Sequence, residues 1–97
     1  MHVVITAEAE TDLEDIFDYI AQDSPRLAGE FVRQLREKAL RIGTAPRSYP
    51  RRPAYGKGIR VAFLSAYVIL FHILTDTVEV LHIVHGARDL NRLFAGD

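Results

Sequence analysis

Ninety-seven residues are enough for one domain, expected here over residues 1–97, and exclude two stacked ones. At 48% hydrophobic and 26% charged, the chain has the composition of a globule, and with no cysteine it has neither a disulfide framework nor a thiolate metal site. The net charge of −1 hides a split: residues 1–25 carry seven acids and no Lys or Arg, whereas residues 26–60 carry ten Lys and Arg against Glu30 and Glu37. Such asymmetry fits either a basic surface with an acidic or polyanionic partner, or two stretches that pair with each other on adjacent helices.

In chain order, His2–Thr6 is short, β-branched and apolar, the pattern of a strand. From Ala7 the period changes: Ala9, Leu13, Ile16, Phe17 and Ile20 form one helical stripe, with Thr6 as N-cap and Glu8 and Glu10 in the first turn. Asp23-Ser24-Pro25 stops this helix and starts another, with Ser24 as N-cap and Pro25 at the first helical position. Leu27, Phe31, Leu35 and Ile42 make the second stripe, and Gly43 and Pro46 end it, Gly43 as the natural residue after the helix. Two helices joined so tightly fold back as an αα-hairpin.

Residues 44–58 hold three of the four prolines and two glycines and are expected to be a loop. Ile59–Leu64, Tyr67–Leu74 and Val78–His85 follow as three strands joined by short turns, hence consecutive antiparallel hairpins. Arg88–Phe94 has the makings of a short terminal helix. The expected fold is α+β with the order β-α-α-β-β-β. It is a four-stranded antiparallel sheet packed on the αα-hairpin, the second strand antiparallel to the first. The core is expected from the helix stripes against Ile59, Val61, Phe63, Ile69, Phe71 and Ile73. No apolar run reaches the roughly 18 residues of a membrane span, and Met1–Ile5 is too short for a signal peptide. A soluble, cytoplasmic protein without membrane contact is expected.

Few constellations carry chemistry. Asp12, Asp15 and Asp18, three apart on the first helix, fit a solvated face. His82 and His85 have odd spacing on one strand and point to opposite faces, so they cannot share one metal without a bulge; no metal site and no cofactor are expected. Without cysteine, and with Ser24 and Ser48 occupied in a cap and a turn, nucleophilic catalysis has no candidate. Arginine remains. Arg60 opens the second strand, and Arg88 follows Gly86-Ala87 after the last; both suit carboxylate or phosphate. Spacing alone slightly favours an Arg88 that pairs with Asp89 or a helix carboxylate and only ties down the C-terminus. Arg47, Tyr49, Arg51, Arg52, Tyr55 and Lys57 interleave bases and aromatics as a nucleic-acid surface does, although their prolines equally suit a tethered loop.

Several of these residues resemble the RelE/ParE toxin superfamily, in its ParE branch, over almost the whole chain. Ala9 with Asp12-Leu13, Ile16, Tyr19-Ile20-Ala21 and Ser24-Pro25 is similar to the family's first helix and turn. Ala45-Pro46, Gly58-Ile59-Arg60 and Tyr67 with Ile69-Leu70-Phe71 is similar to its middle. The most specific piece is Val84-His85-Gly86-Ala87-Arg88-Asp89-Leu90. The resemblance implies the toxin of a type II toxin–antitoxin pair, in hetero-oligomeric complex with a ParD-like or similar antitoxin. ParE-like members are associated with poisoning DNA gyrase, RelE-like members with ribosome-dependent mRNA cleavage. Arg60 and Arg88 match two basic positions of the nuclease branch, but residues 89–97 contain no Tyr, His or Lys to act as acid or base. The chain departs from its own branch at Phe71-His72, where a Tyr and a basic residue are common. The expectation is thus gyrase inhibition without a catalytic residue, with a RelE-like nuclease and a non-toxic antitoxin-binding module as alternatives. On this reading Lys57, Arg60, His85 and Arg88 are the candidates for target contact and toxicity. Phe17, Arg33, Arg36 and Arg41 are the candidates for antitoxin contact.

Overall fold

The computed structural model describes residues 1–89. Strand β1 (His2–Ile5) leads into helix α1 (Ala7–Ala21), then helix α2 (Pro25–Arg41). Three single-turn 3-10 segments follow at Ile42–Thr44, Pro46–Ser48 and Pro53–Tyr55. Strands β2 (Arg60–Leu64), β3 (Tyr67–Leu74) and β4 (Thr77–His85) complete the fold. Helix resumes at residue 86 and is described to residue 89; most of the terminal helix expected over 88–94 lies outside the described residues.

Both helices start where local chemistry dictates. The Ala9 N–H donates to Thr6 Oγ1 at 3.2 Å, and the Leu27 N–H donates to Ser24 Oγ at 3.2 Å. Thr6 does more than cap: its hydroxyl donates to the Val80 carbonyl at 2.7 Å, tying the start of α1 to β4. Gly43 is not a left-handed residue after α2 but part of a 3-10 turn. It is glycine for a different reason. A Cβ there would run into the Met1 carbonyl oxygen and sit 2.8 Å from Val3 Cγ2, so only glycine lets the end of α2 meet the start of β1.

The α+β class and the helix-covered sheet are as expected, but the sheet is mixed. Its order is β1-β4-β3-β2, with β1 parallel to β4 and the other pairs antiparallel. Strand β2 therefore runs in the same direction as β1, from the opposite edge. The cause lies in the hairpin. Helix α1 does not turn back over β1 but continues along the outer half of β4, where Asp12 meets Ile83. Helix α2 then returns to the starting end of β1, where the Met1 amino group donates to the Gly43 carbonyl at 3.0 Å. The loop starts β2 from that end, a crossover long enough for parallel strands.

The main core lies between the helices and one sheet face. Its centre is Phe71, Ile69, Val78, Val80 and Ile83 against Leu13, Ile16 and Leu35. In β2 the expected phase is inverted. Ala62 pairs with Ile69 and Leu64 with Tyr67 on the helix side, while Val61 joins Val68, Leu70 and Val84 on the other face, with Ile59 packed against them. Phe63, expected in the core, is 53% exposed. A one-residue change of register exchanges the two faces of a strand, and β2 has apolar residues at both parities. The β3–β4 ladder also shifts at Leu70/Phe71: Leu70 pairs with His82 and Phe71 with Val80, leaving Leu81 as an extra residue. This bulge lets Val80 and Ile83, an odd number apart, both reach the helix-side core.

Candidate functional site

Beyond Ile5, β1 no longer covers the outer edge of β4, and side chains take over. The Thr6 N–H reaches the Val80 carbonyl at 3.2 Å. Further on, Asp12 Oδ2 accepts the Ile83 N–H at 2.9 Å and faces His82 Nδ1 at 2.9 Å. Asp12 thus turns inward, unlike the exposed Asp15 and Asp18, and does not belong to a solvated face. At the end of β4, His85 opens the next helical turn. The Arg88 N–H donates to His85 Nδ1 at 3.2 Å, and Asp89 Oδ2 accepts the His85 N–H at 3.0 Å. These reciprocal bonds have the logic of a capping box, with imidazole in place of a hydroxyl.

The capped turn fixes Arg88. Its guanidinium carbon lies 4.9 Å from the centroid of the Tyr19 ring, and its Nε donates to Asp89 Oδ1 at 3.3 Å. The Asp89 hydrogen bond holds the Arg88 pKa above its ordinary value. A cleft of about 430 Å³ runs between α1 and the end of β4, lined by Asp12, Asp15, Tyr19, His82, Arg88 and Asp89 among others. Tyr19 also borders a second, apolar cleft of about 440 Å³ with Leu27, Phe31, Tyr67 and His85. There the Tyr67 ring lies between those of Phe31 and His85, its centroid 5.4 Å from each. Tyr19 and Tyr67 thus join His85 and Arg88 at one end of the sheet.

Arg60 and Lys57 lie elsewhere. Arg60 pairs with Phe71, midway along β3 and away from the Tyr67–His85 end, and its Nη1 donates to the carbonyls of Tyr49 at 2.7 Å and Arg47 at 3.3 Å. Lys57 is exposed in the loop before β2. The fold therefore brings His85 and Arg88 together and keeps both apart from Arg60 and Lys57. Among the described residues no group of three His, Cys, Asp or Glu side chains converges as metal ligands.

Phe17 and Arg36 share a shallow groove between the helices, with Leu13, Val32 and Glu10. Arg36 grips Glu10 in two parallel bonds of 2.7 and 2.8 Å, while Arg33 pairs within its own helix with Glu37 at 3.4 Å. Arg41 lies in a separate cleft with Lys38 and Tyr49. The acidic and basic stretches thus join between helices at Arg36–Glu10, whereas Arg26–Glu30 and Arg33–Glu37 are pairs within α2. The Arg36 hydrogen bonds hold the Glu10 carboxyl below its ordinary value of 4.5. A depressed acid stabilises the fold above its unfolded pKa and loses that contribution as pH falls through the folded one. Both groups are about 40% exposed, so the pair is worth at most about 1 kcal/mol. Wild type is expected to exceed Glu10→Gln in urea midpoint at pH 7 and to lose that margin below pH 4.5. A margin constant down to pH 3 would contradict the assignment.

The profile of the family described as "ParE toxin of type II toxin-antitoxin system, parDE" matches residues 3–90. Among solved structures, a chain of the "Chromosomal ParDE TA system from P. aeruginosa" superposes with a TM-score of 0.77. It is 23% identical, and the match covers 88% of this chain and 95% of that one. At that identity the likeness is one of fold. Among curated proteins there is no match.

Proposed function

The chain belongs to the family of ParE toxins of type II toxin–antitoxin systems, and on that premise we propose that it inhibits DNA gyrase and is neutralised in the cytoplasm by a cognate ParD-like antitoxin. The observation that carries the choice of target is the surroundings of Arg88. Three carboxylates, Asp12, Asp15 and Asp89, line the same cleft, and the guanidinium is already engaged by Asp89 and the Tyr19 face. A phosphodiester-cleaving site needs unopposed cations around the phosphate, with an acid and a base beside them. This cleft repels a phosphate as much as it attracts one. It suits a protein surface, where an Arg fork and exposed rings are common anchors.

The antitoxin segment lies along the helical hairpin. Phe17, 37% exposed beside Val32 and Leu13, offers an apolar anchor, and the flanking arginines meet acidic residues of the partner. Association slows as salt screens these charges.

The deciding experiment is a gyrase supercoiling assay with purified protein, run beside in vitro translation with mRNA cleavage mapped. Inhibition of gyrase with intact mRNA is the expected result; codon-positioned cuts in ribosome-bound mRNA would reverse it. Arg88→Ala is expected to fold with a loss of about 0–1 kcal/mol, bind antitoxin normally and lose toxicity. Arg88→Lys, which keeps the charge but not the planar fork, is expected to be impaired as well. A fully toxic Arg88→Ala with unchanged melting temperature would remove Arg88 from the site.

A further inference from the structure

Residues 38–60 contain seven Lys and Arg and no acid. Among the described residues none of the seven is ion-paired with a carboxylate; the pairs formed by the basic stretch are those of Arg26, Arg33 and Arg36. The fold brings Lys38, Arg41 and Arg60 beside Tyr49. Lys38 Nζ sits 5.6 Å from the Tyr49 ring centroid, and Arg41 lines the same cleft of about 410 Å³. Arg60 is held on the Tyr49 and Arg47 carbonyls, and Arg51 bridges Arg60 through the backbone. Lys38 and Arg41 have a local reason to be there, since they complement the C-terminal end of the α2 dipole. That reason does not extend to Arg47 and Arg51, which are exposed on a loop braced by 3-10 turns that begin with Pro46 and Pro53.

We infer that this surface binds the phosphate backbone of duplex DNA. The tyrosines decide between nucleic acids. Tyr49 meets Phe71 edge-on, with centroids 5.7 Å apart, and Tyr55 packs on the second core cluster. Neither ring is presented as a platform on which unpaired bases stack, as single-strand binders require. What remains is a set of forked and point cations, which recognises phosphates and not bases. The cleft beside it, lined by Lys38, Arg41, Thr44, Ala45, Ser48 and Tyr49, has no large aliphatic side chain to anchor an acidic amphipathic peptide. The binding itself is independent of the gyrase reading. Its use rests on that reading, because a toxin that engages gyrase meets duplex DNA there.

The test is fluorescence anisotropy of the full-length protein alone with a labelled 20-base-pair duplex, titrated at 50 to 200 mM salt, so that its outcome does not depend on gyrase. Contact with about four phosphates gives a slope of log affinity against log salt near −3.6 and a loss of about 100-fold over that range. The triple variant Arg41→Gln, Arg47→Gln, Arg51→Gln changes only exposed side chains. It is expected to stay folded, melting within about 8 °C of wild type because Arg41 leaves the end of the α2 dipole, while its slope falls towards about −1. Arg26→Gln with Arg33→Gln, which removes paired cations, is expected to shift affinity by no more than about twofold. An absence of duplex binding at 50 mM salt, or an unchanged slope in the triple variant, would overturn the proposal. So would tighter binding of single-stranded RNA, or of a polyglutamate peptide, than of the duplex.

Discussion

Phe71→Ala is expected to destabilise the protein by about 3–5 kcal/mol, the usual cost of emptying a fully buried aromatic site. Phe71 is 0% exposed at the centre of the helix-side core, and Tyr49 rests on it edge-on. At about 4–8 °C per kcal/mol for a domain of this size, the melting temperature falls by roughly 12–40 °C. Phe71→Leu, which keeps most of the volume, costs about 1–1.5 kcal/mol. Urea denaturation of the two variants measures both. A loss below 1 kcal/mol for Phe71→Ala would mean that the core closes over the gap, contrary to the packing described. Because Tyr49 stands between Phe71 and the basic loop, the same variant also loosens the array around Arg60.

Asp12→Ala is expected to cost about 1–3 kcal/mol, as the loss of a partner for a sequestered backbone donor does. The carboxylate stands where a strand would otherwise continue, accepting the Ile83 N–H and facing His82. Asp12→Asn keeps an acceptor for Ile83 and is expected to lose about half as much. Amide hydrogen exchange separates the two: Ile83 is fast in the alanine variant and protected in the asparagine variant. Equal protection of Ile83 in wild type and Asp12→Ala would show that the edge is guarded by something else. Because Asp12 fastens α1 to β4, its loss also moves Tyr19 away from Arg88.

Much of the fold was legible because its signals are local. Thr6 and Ser24 cap where their chemistry says, and the β3 face of Ile69, Phe71 and Ile73 follows from strict alternation. Sheet order was not legible, since it depends on where α1 packs, and a contact 71 residues apart, Asp12 to Ile83, decides that. In β2, Val61, Ala62, Phe63 and Leu64 offer apolar residues to both faces, so alternation has no preferred phase; pairing with β3 sets it. Of the candidate site, His85 and Arg88 stood out in their short motif. Tyr19 and Asp12 did not, because an aromatic and an acid outside the apolar stripe of a helix look like surface until β4 is placed against them.

The parallel pairing of β1 with β4 sets the order in which this chain can fold. His2 pairs with Thr77, 75 residues later, so the first strand waits for the last one during synthesis. The β2–β3–β4 meander and the helical hairpin close over short loops, whereas β1 bears most of the loop-closure entropy and is expected to join late. The turn that carries Arg88 follows β4 directly, so its partner Tyr19 is made nearly 70 residues ahead of it. A ribosome still reading the message therefore holds a chain whose cation–ring contact does not yet exist. The helical hairpin is complete in the chain by residue 41, well before Arg88 exists to close that contact.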